Sequence, residues 1–360
     1  MAARGAGSAQ VLDATPRLVH APDNQAELEV IWMTVFHRNE KKEPLPEALK
    51  GGVVAIGNFD GVHRGHRSVL ERALALAQER GVPALVLTFE PHPRSVFRPD
   101  QPVFRLTPAP LKARLLEAMG FRCVIEYPFD ADFAGRSAEE FVRTILVDWL
   151  GATAVVTGFD FHFGKGREGG PAFLMESGPR YGFTVSLMDA FRDENADVIS
   201  SSRIRALLAD GHVAEAAGLL GYRFTVEAEV IGGEKLGRQL GYPTANMQLP
   251  PETELKAGIY AVRFRRPDGS IHDGVASYGR RPTVTENGAP LLETFLFDFS
   301  ESLYGETCAV SFFGYLREEL KFDGLEPLIE QMKLDEAEAR ALLSGVTPLG
   351  PLDRTISFHD

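Results

Sequence analysis

The sequence predicts an α/β unit on a parallel sheet, followed by a small antiparallel β-barrel that ends in a helix. Three observations lead there. From about residue 52 to 190, short β-rich runs alternate with helical patterns, and strands separated by helices form a parallel sheet covered on both faces. After Tyr222 the strands follow one another with only turns between them, such as Pro267-Asp268-Gly269-Ser270, as a small barrel or sandwich requires. A chain of 360 residues also has room for two ordinary domains with separate cores.

In chain order, residues 1–50 read as an N-terminal extension, with an edge strand at 17–20, a strand or short helix over 26–36, and a polar break at 41–44. Sheet strands are expected at 53–57, 84–89, 123–127, 154–158 and 183–188. Between them, Thr107-Pro108 supplies an N-cap and a proline at the first helical position, ahead of Leu111, Leu115, Leu116 and Met119. Ser137 and Glu140 form a capping box before Phe141, Ile145, Leu146 and Trp149, closed by Gly151. Residues 204–221 read as two short helices broken at Asp210-Gly211, and they finish a first domain spanning 51–221. The second domain, 222–345, should carry strands at 224–231, 258–265, 271–278, 292–299 and 307–316. A helix with Leu325, Leu328, Ile329 and Met332 on its apolar face follows. Residues 346–360 are expected to be an irregular tail.

Composition narrows the function classes. A hydrophobic content of 44% with 24% charged residues is that of a soluble globular protein. The formal net charge of −12 argues against a nucleic-acid partner, which a basic face would serve. Anionic small molecules stay open, because a helix end or bound magnesium inverts the field locally. Cys123 and Cys308 lie far apart in apolar runs with no CxxC, which fits small core residues in a reducing, cytoplasmic setting. The first residues lack the apolar stretch of a secretory signal, and the apolar run 30–36 is too short to span a bilayer, so no membrane partner is expected. A homo-oligomer is compatible with all of this.

The most informative stretch is GNFDGVHRGH, residues 57–66. A buried strand ends there in a glycine-rich turn, and a helix starts with His63 and His66 three positions apart. Helix N-termini present unsatisfied N–H groups and partial positive charge to phosphate, and glycines let the backbone come close. Two imidazoles could add hydrogen bonds to charge that develops at phosphorus. The pair could instead be a metal half-site, but no Cys or third His stands at ligand spacing, or simply two surface histidines. TFEPHP (88–93) and GFDFHFG (158–164) close two further strands at the same carboxyl edge, where ligands of such sheets bind. The aromatics of the latter read as core or as a pocket for a flat ring. Ser200-Ser201-Ser202-Arg203-Ile204-Arg205 opens a helix, and its hydroxyls serve either as caps or, with the arginines, as a grip on phosphate.

In the second domain, residues 232–246 read GGEKLGRQLGYPTAN. No Gly-Lys-Ser/Thr closes this stretch, so it is not a P-loop, and composition alone would make it a flexible loop. The hydroxyl of Thr244 and the amide of Asn246, however, are hard oxygen donors suited to magnesium. Downstream, Glu293 lies in an alternating apolar strand, either as a surface carboxylate or as a group that accepts a hydroxyl proton.

Taken together, GNFDGVHRGH, TFEPHP, GFDFHFG, SSSRIR, GRQLGYPTAN and LLETFLFDF, in this order, make the chain resemble the bifunctional bacterial riboflavin kinase/FAD synthetases across about residues 52–343. The resemblance implies a Rossmann-like nucleotidyltransferase domain followed by a riboflavin kinase barrel. It also implies ATP-dependent phosphorylation of riboflavin to FMN, then adenylylation of FMN to FAD with release of pyrophosphate. ATP, riboflavin and FMN would be substrates and Mg²⁺ the cofactor. The residues it points to are Glu293, His63, His66 and Arg205 for catalysis, and Gly57, Phe59, Asp60, Gly61, Gly65, Ser201, Ser202, Gly237 and Gly241 around ATP and phosphate. Asp160, Phe161 and His92 would meet flavin, and Thr244 and Asn246 the metal. A nucleotidyltransferase for another phosphate ester and a flavin-binding sensor without turnover are the rival readings.

Overall fold

The computed structural model describes residues 34–37, 45–232, 242–280 and 289–359. The strand expected at 17–20 lies outside them. Of 26–36, residues 34–36 are described and belong to β1 (Thr34–His37), which pairs in parallel with the strand that starts at Cys123, at the sheet edge.

The first half is a six-stranded sheet ordered β1-β4-β3-β2-β5-β6, with β2 (Val53–Ile56), β3 (Ala84–Glu90), β4 (Cys123–Pro128), β5 (Ala154–Gly158) and β6 (Thr184–Met188). Every pair is parallel, so β2 and the buried part of β3, Ala84–Phe89, read as nearly continuous apolar runs. The chain runs outward from β2 through β3 to β4 and then returns to lay β5 on the other side of β2. The carboxyl end of β2 is therefore the switch point where a crevice opens. Helix α1 (Arg64–Arg80) leaves that point and buries Val69, Leu70, Ala73, Leu76 and Ala77 before Gly81 ends it in the left-handed region. Short α2 (Pro93–Phe97), α3 (Ala109–Ala118) and α4 (Ala131–Ala134) follow. The Ser137–Glu140 capping box opens α5 (Ala138–Phe141), which continues as a π-helical stretch, Val142–Val147. After α6 (Pro171–Tyr181), the two short helices are α7 (Ser201–Ala209) and α8 (Val213–Leu220).

The second half is a closed barrel ordered β10-β11-β8-β7-β12-β9. Its strands are β7 (Thr225–Ile231), β8 (Thr244–Gln248), β9 (Gly258–Arg265), β10 (Ile271–Gly279), β11 (Leu291–Leu296) and β12 (Thr307–Arg317). Strand β8 was not expected: Thr-Ala-Asn, at the end of the stretch whose composition suggests a loop, starts a strand that pairs with β11. Helix α9 (Leu325–Ser344) packs Ala339 and Leu343 on the barrel's outer wall with Phe297 and Phe313.

Residues 346–360, expected to be irregular, contain helix α10 (Pro351–Ser357). Arginines in and just before the barrel strands hold it down. Arg265 donates to the carbonyls of Thr355 (2.9 Å), Ile356 (2.9 Å) and Phe358 (3.0 Å). Arg223 pairs with the fully buried carboxylate of Asp353, which also accepts from the Arg223 N–H at 2.8 Å. Nor are the two cores separate. Phe104 of the first half meets Phe224 edge-on at 5.8 Å, Phe224 stacks on Phe312 at 5.7 Å, and the Tyr222 hydroxyl donates to Gly61 O at 2.8 Å. One hydrophobic cluster runs through both halves.

Candidate active sites

The turn after β2 is strained where it bends. Phe59 and Val62 both sit at positive φ, +48° and +35°, a conformation that persists only when its surroundings hold it. Gly61, at φ +97°, donates its N–H to Thr107 Oγ1 at 2.8 Å. A Cβ on Gly57 would meet the Phe59 ring at 3.0 Å, and one on Gly65 would meet the His63 ring at 3.1 Å and Ile199 O at 3.3 Å. The glycines thus let an aromatic ring, an imidazole and a neighbouring loop close on the turn.

Helix α1 begins at the histidines themselves. His63 is its N-cap, and its Nδ1 accepts from the His66 N–H at 3.2 Å. The two rings stack at 3.6 Å and 17°, and Phe59 meets His66 edge-on at 5.5 Å. Burial pushes His63 down to about 4, against the pull of Asp60 and with help from Arg205. Burial, then the neighbouring His63, Lys112 and Arg205, hold His66 well below the ordinary imidazole value. The lowered values favour the neutral rings, in which one nitrogen accepts, as His63 Nδ1 does, and the other carries a hydrogen able to donate. Nδ1 of His66 is buried and has no protein partner.

Around them stand α7 and the strand ends. Ser200 caps α7, its Oγ accepting from Arg203 N at 3.3 Å, and Ser201 Oγ donates to Asp60 O at 2.8 Å. Ser202 is exposed at the cavity mouth. Arg205 donates through Nε to Phe104 O at 2.7 Å and through its end to the Asp60 carboxylate. The sequence reading put Asp60 in the phosphate cradle. Asp60 lines the cavity, and its buried carboxylate accepts from Arg205 and from the N–H groups of Leu106 (3.3 Å) and Thr107 (3.1 Å). His92 caps α2 by accepting from Arg94 N at 3.1 Å, and burial, against the pull of Asp60 and with help from Arg105 and Arg205, brings it down to about 4. A cavity of about 1290 Å³ joins all of these to the 158–164 loop. There Asp160 is exposed, and Phe161 stacks on Phe163 at 5.5 Å.

Three imidazoles with lowered pKa values have a consequence for stability. Between pH 6.5 and about 4 the unfolded chain binds protons that the folded site refuses. The contribution is therefore complete above pH 6.5 and is lost as pH falls through that window. We expect the thermal midpoint to fall from pH 7 to pH 4.5, and to fall less in His92→Gln. A midpoint that holds steady across that range contradicts the assignment.

The second site lies on the outer wall of the barrel. Alternation along β8 and β11 points Ala245, Met247, Leu292 and Leu296 into the shared core, which leaves Thr244, Asn246 and Glu293 on the outer face. Glu293 is the Cα partner of Asn246 on one side and of Ser277 on the other. Asn246 is buried, and its Oδ1 has no partner. These residues and Tyr242, whose ring meets Phe295 at 4.7 Å, line a cavity of about 1080 Å³ roofed by α9. Arg317 fixes that roof by pairing with Asp335 at 2.7 and 2.6 Å. Gly237 and Gly241 lie outside the described residues.

The sequence reading missed Glu90, Arg105 and Lys112 beside the first site, and Ser277, Tyr242 and the Arg317–Asp335 pair at the second. Lys112 shares helix α3 with the apolar positions that were read, and a lysine there looks solvated.

A crevice walled by imidazoles and a guanidinium, and a second cavity walled by a carboxylate and an amide, define a two-site phosphate-transfer enzyme. Comparison with known proteins agrees in detail. Residues 45–203 match the family described as FAD synthetase, and residues 220–343 the family described as riboflavin kinase. The bifunctional riboflavin kinase/FMN adenylyltransferase of Pseudomonas fluorescens is 42% identical over 293 residues, covering 81% of this chain and 93% of that protein. The Escherichia coli K12 protein of the same name is 38% identical over 299 residues, covering 83% and 95%. A crystal structure from Streptococcus pneumoniae, described as a macrolide-efflux protein, superposes with a TM-score of 0.75 at 30% identity, covering 85% of this chain and 98% of that one. The described residues here include no helix long and apolar enough to cross a membrane. The chain belongs to the bifunctional riboflavin kinase/FMN adenylyltransferase family.

Proposed function

We propose that the barrel site phosphorylates riboflavin with ATP to give FMN and ADP, and that the sheet site adenylylates FMN with a second ATP to give FAD and pyrophosphate. The observation that carries this reading is the pairing of Glu293 with Asn246 across two strands of the barrel's outer wall, in the same chain as the His63–His66 helix start. In the kinase step Glu293 accepts the proton of the ribityl hydroxyl as that oxygen attacks the γ-phosphate. In the adenylyl step the nucleophile is a phosphate oxygen that is already ionised, so no general base is required. The residues there fit that requirement: neutral imidazole donors, serine hydroxyls and Arg205 can hold phosphates in line and stabilise charge at the α-phosphorus. Asp160, Phe161 and His92 sit across the same cavity and would hold the flavin. Domain boundaries near residue 221 and at 345 accompany this division of labour.

The barrel site suits Mg²⁺. The partnerless, buried Oδ1 of Asn246 is a hard oxygen donor, with Thr244 two residues away on the same face. No trio of His, Cys, Asp or Glu gathers as a metal site among the described residues, which fits an ion held mainly by substrate phosphates and a few neutral oxygens. Bound there, magnesium would neutralise charge on the ATP phosphates, while Thr244 and Asn246 orient it. Asn246→Ala is accordingly expected to shift the magnesium requirement of FMN formation upward and to leave FAD formation from supplied FMN unchanged. An unaltered magnesium titration for FMN formation removes the metal role. The reading as a whole is tested by incubating the protein with riboflavin, ATP and Mg²⁺ and resolving the flavins by HPLC. FMN followed by FAD is expected, and riboflavin recovered unchanged refutes it.

A further inference from the structure

Behind the wall of the sheet site, charged side chains alternate in sign over five positions. Lys112, 0% exposed on α3, donates to Glu90 Oε1 at 2.8 Å, to Thr88 Oγ1 at 3.0 Å and to Asn58 O at 3.4 Å. Glu90 in turn takes both ends of the Arg105 guanidinium at 2.7 Å. Arg105 Nε approaches Asp60 at 3.5 Å, and Asp60 pairs with Arg205. Asp60 and Arg205 line the cavity, whereas Lys112, Glu90 and Arg105 do not. A buried lysine is costly unless its protons are all used, and here each bond ties it to a different piece of the site: the end of β3, the middle of β3 and the turn after β2.

We propose that Lys112 is a positioning residue for the adenylyl step, fixing through Glu90, Arg105 and Asp60 where the Arg205 guanidinium stands and where the turn 57–61 lies. This extends the function proposed above and rests on it. Lys112 touches no substrate. Because the relay carries three cations and two carboxylates, its surplus positive charge sits under the place where the ATP phosphates would bind, and losing Lys112 removes that surplus as well as the anchor.

Lys112→Met keeps the length of the side chain, removes the charge, and leaves Glu90 paired with Arg105. The experiment measures both activities in the full-length chain for wild type, Lys112→Met and Lys112→Arg. Wild-type formation of FAD from FMN tests the functional reading, and the ratio of variant to wild type tests the relay. In Lys112→Met, kcat for FAD formation is expected to fall about 10- to 100-fold, the scale of an ångström-sized misplacement. The KM for FMN should change less than kcat. Riboflavin phosphorylation by the same molecules should stay near wild type and so report an intact fold. Lys112→Arg, which restores the cation, should recover part of the loss. FAD formation at the wild-type kcat in Lys112→Met overturns the proposal. So does a loss that Lys112→Arg shares in full, since that marks a packing defect rather than a lost charge. Should Lys112→Met lose both activities, Arg105→Lys supplies the second test, and adenylylation in it at the wild-type kcat is equally fatal.

Discussion

Glu293→Gln is expected to lower riboflavin phosphorylation by about 10² to 10⁴, the usual weight of a positioned general base, with FMN adenylylation unaffected. Glutamine keeps the shape of the side chain and its place on β11, where Leu292 and Thr294 on either side are fully buried, so strand register and barrel packing should persist. What disappears is the oxygen able to take a proton. Supplying FMN separates the two activities in one preparation: FAD appears at the wild-type rate while riboflavin stays unphosphorylated. A mutant that phosphorylates riboflavin nearly as fast as wild type ends the assignment of Glu293 as base.

The second large effect is expected at the helix start. His63→Ala and His66→Ala should each let riboflavin proceed to FMN and stop there, since removing one preorganised donor costs about 10² to 10³ in turnover. His63 carries an added burden, because its Nδ1 caps α1 and loss of a cap costs about 1 kcal/mol. His63→Asn restores an acceptor at the cap without the imidazole, so it should recover stability and not FAD formation. FAD at wild-type yield from any of these variants sinks the role of the pair. Loss of FMN formation as well would mean that the barrel depends on the sheet, which the hydrophobic cluster shared through Phe104, Phe224 and Phe312 makes worth measuring.

Periodicity made the parallel sheet legible, because buried strands such as Val53–Ile56 separated by capped helices admit few other arrangements. The residues that gather at the first cavity stood out as motifs, since glycines, histidines and serines crowd at strand ends where a plain turn needs fewer. What escaped were features set by partners distant in sequence. Strand β8 is five residues long and begins after a proline, and only its pairing with β11 makes it a strand. Helix α10 depends on carbonyl groups meeting Arg263 and Arg265, some 90 residues away. The motif around Asp60 gave no sign that its carboxylate would be bonded to Arg205 and to the N–H groups of Leu106 and Thr107, all distant in sequence. Lys112 gave no pattern at all. Its burial follows from Glu90, and a charge that another charge neutralises does not disturb the amphipathic stripe around it.

The alternation of β8 and β11 also bears on the quality of the folded population. Asn246 and Glu293 face outward because Ala245, Met247, Leu292 and Leu296 face inward, and pleated strands repeat every two residues. A slip of a single residue would carry the Glu293 carboxylate into an interior filled by Tyr260, Phe264 and Phe312, and would turn the leucines to solvent. Such a molecule could not close its barrel. The same alternation that seats Leu292 and Leu296 inside therefore turns the Glu293 carboxylate outside, so the barrel's core and the orientation of Glu293 are fixed together.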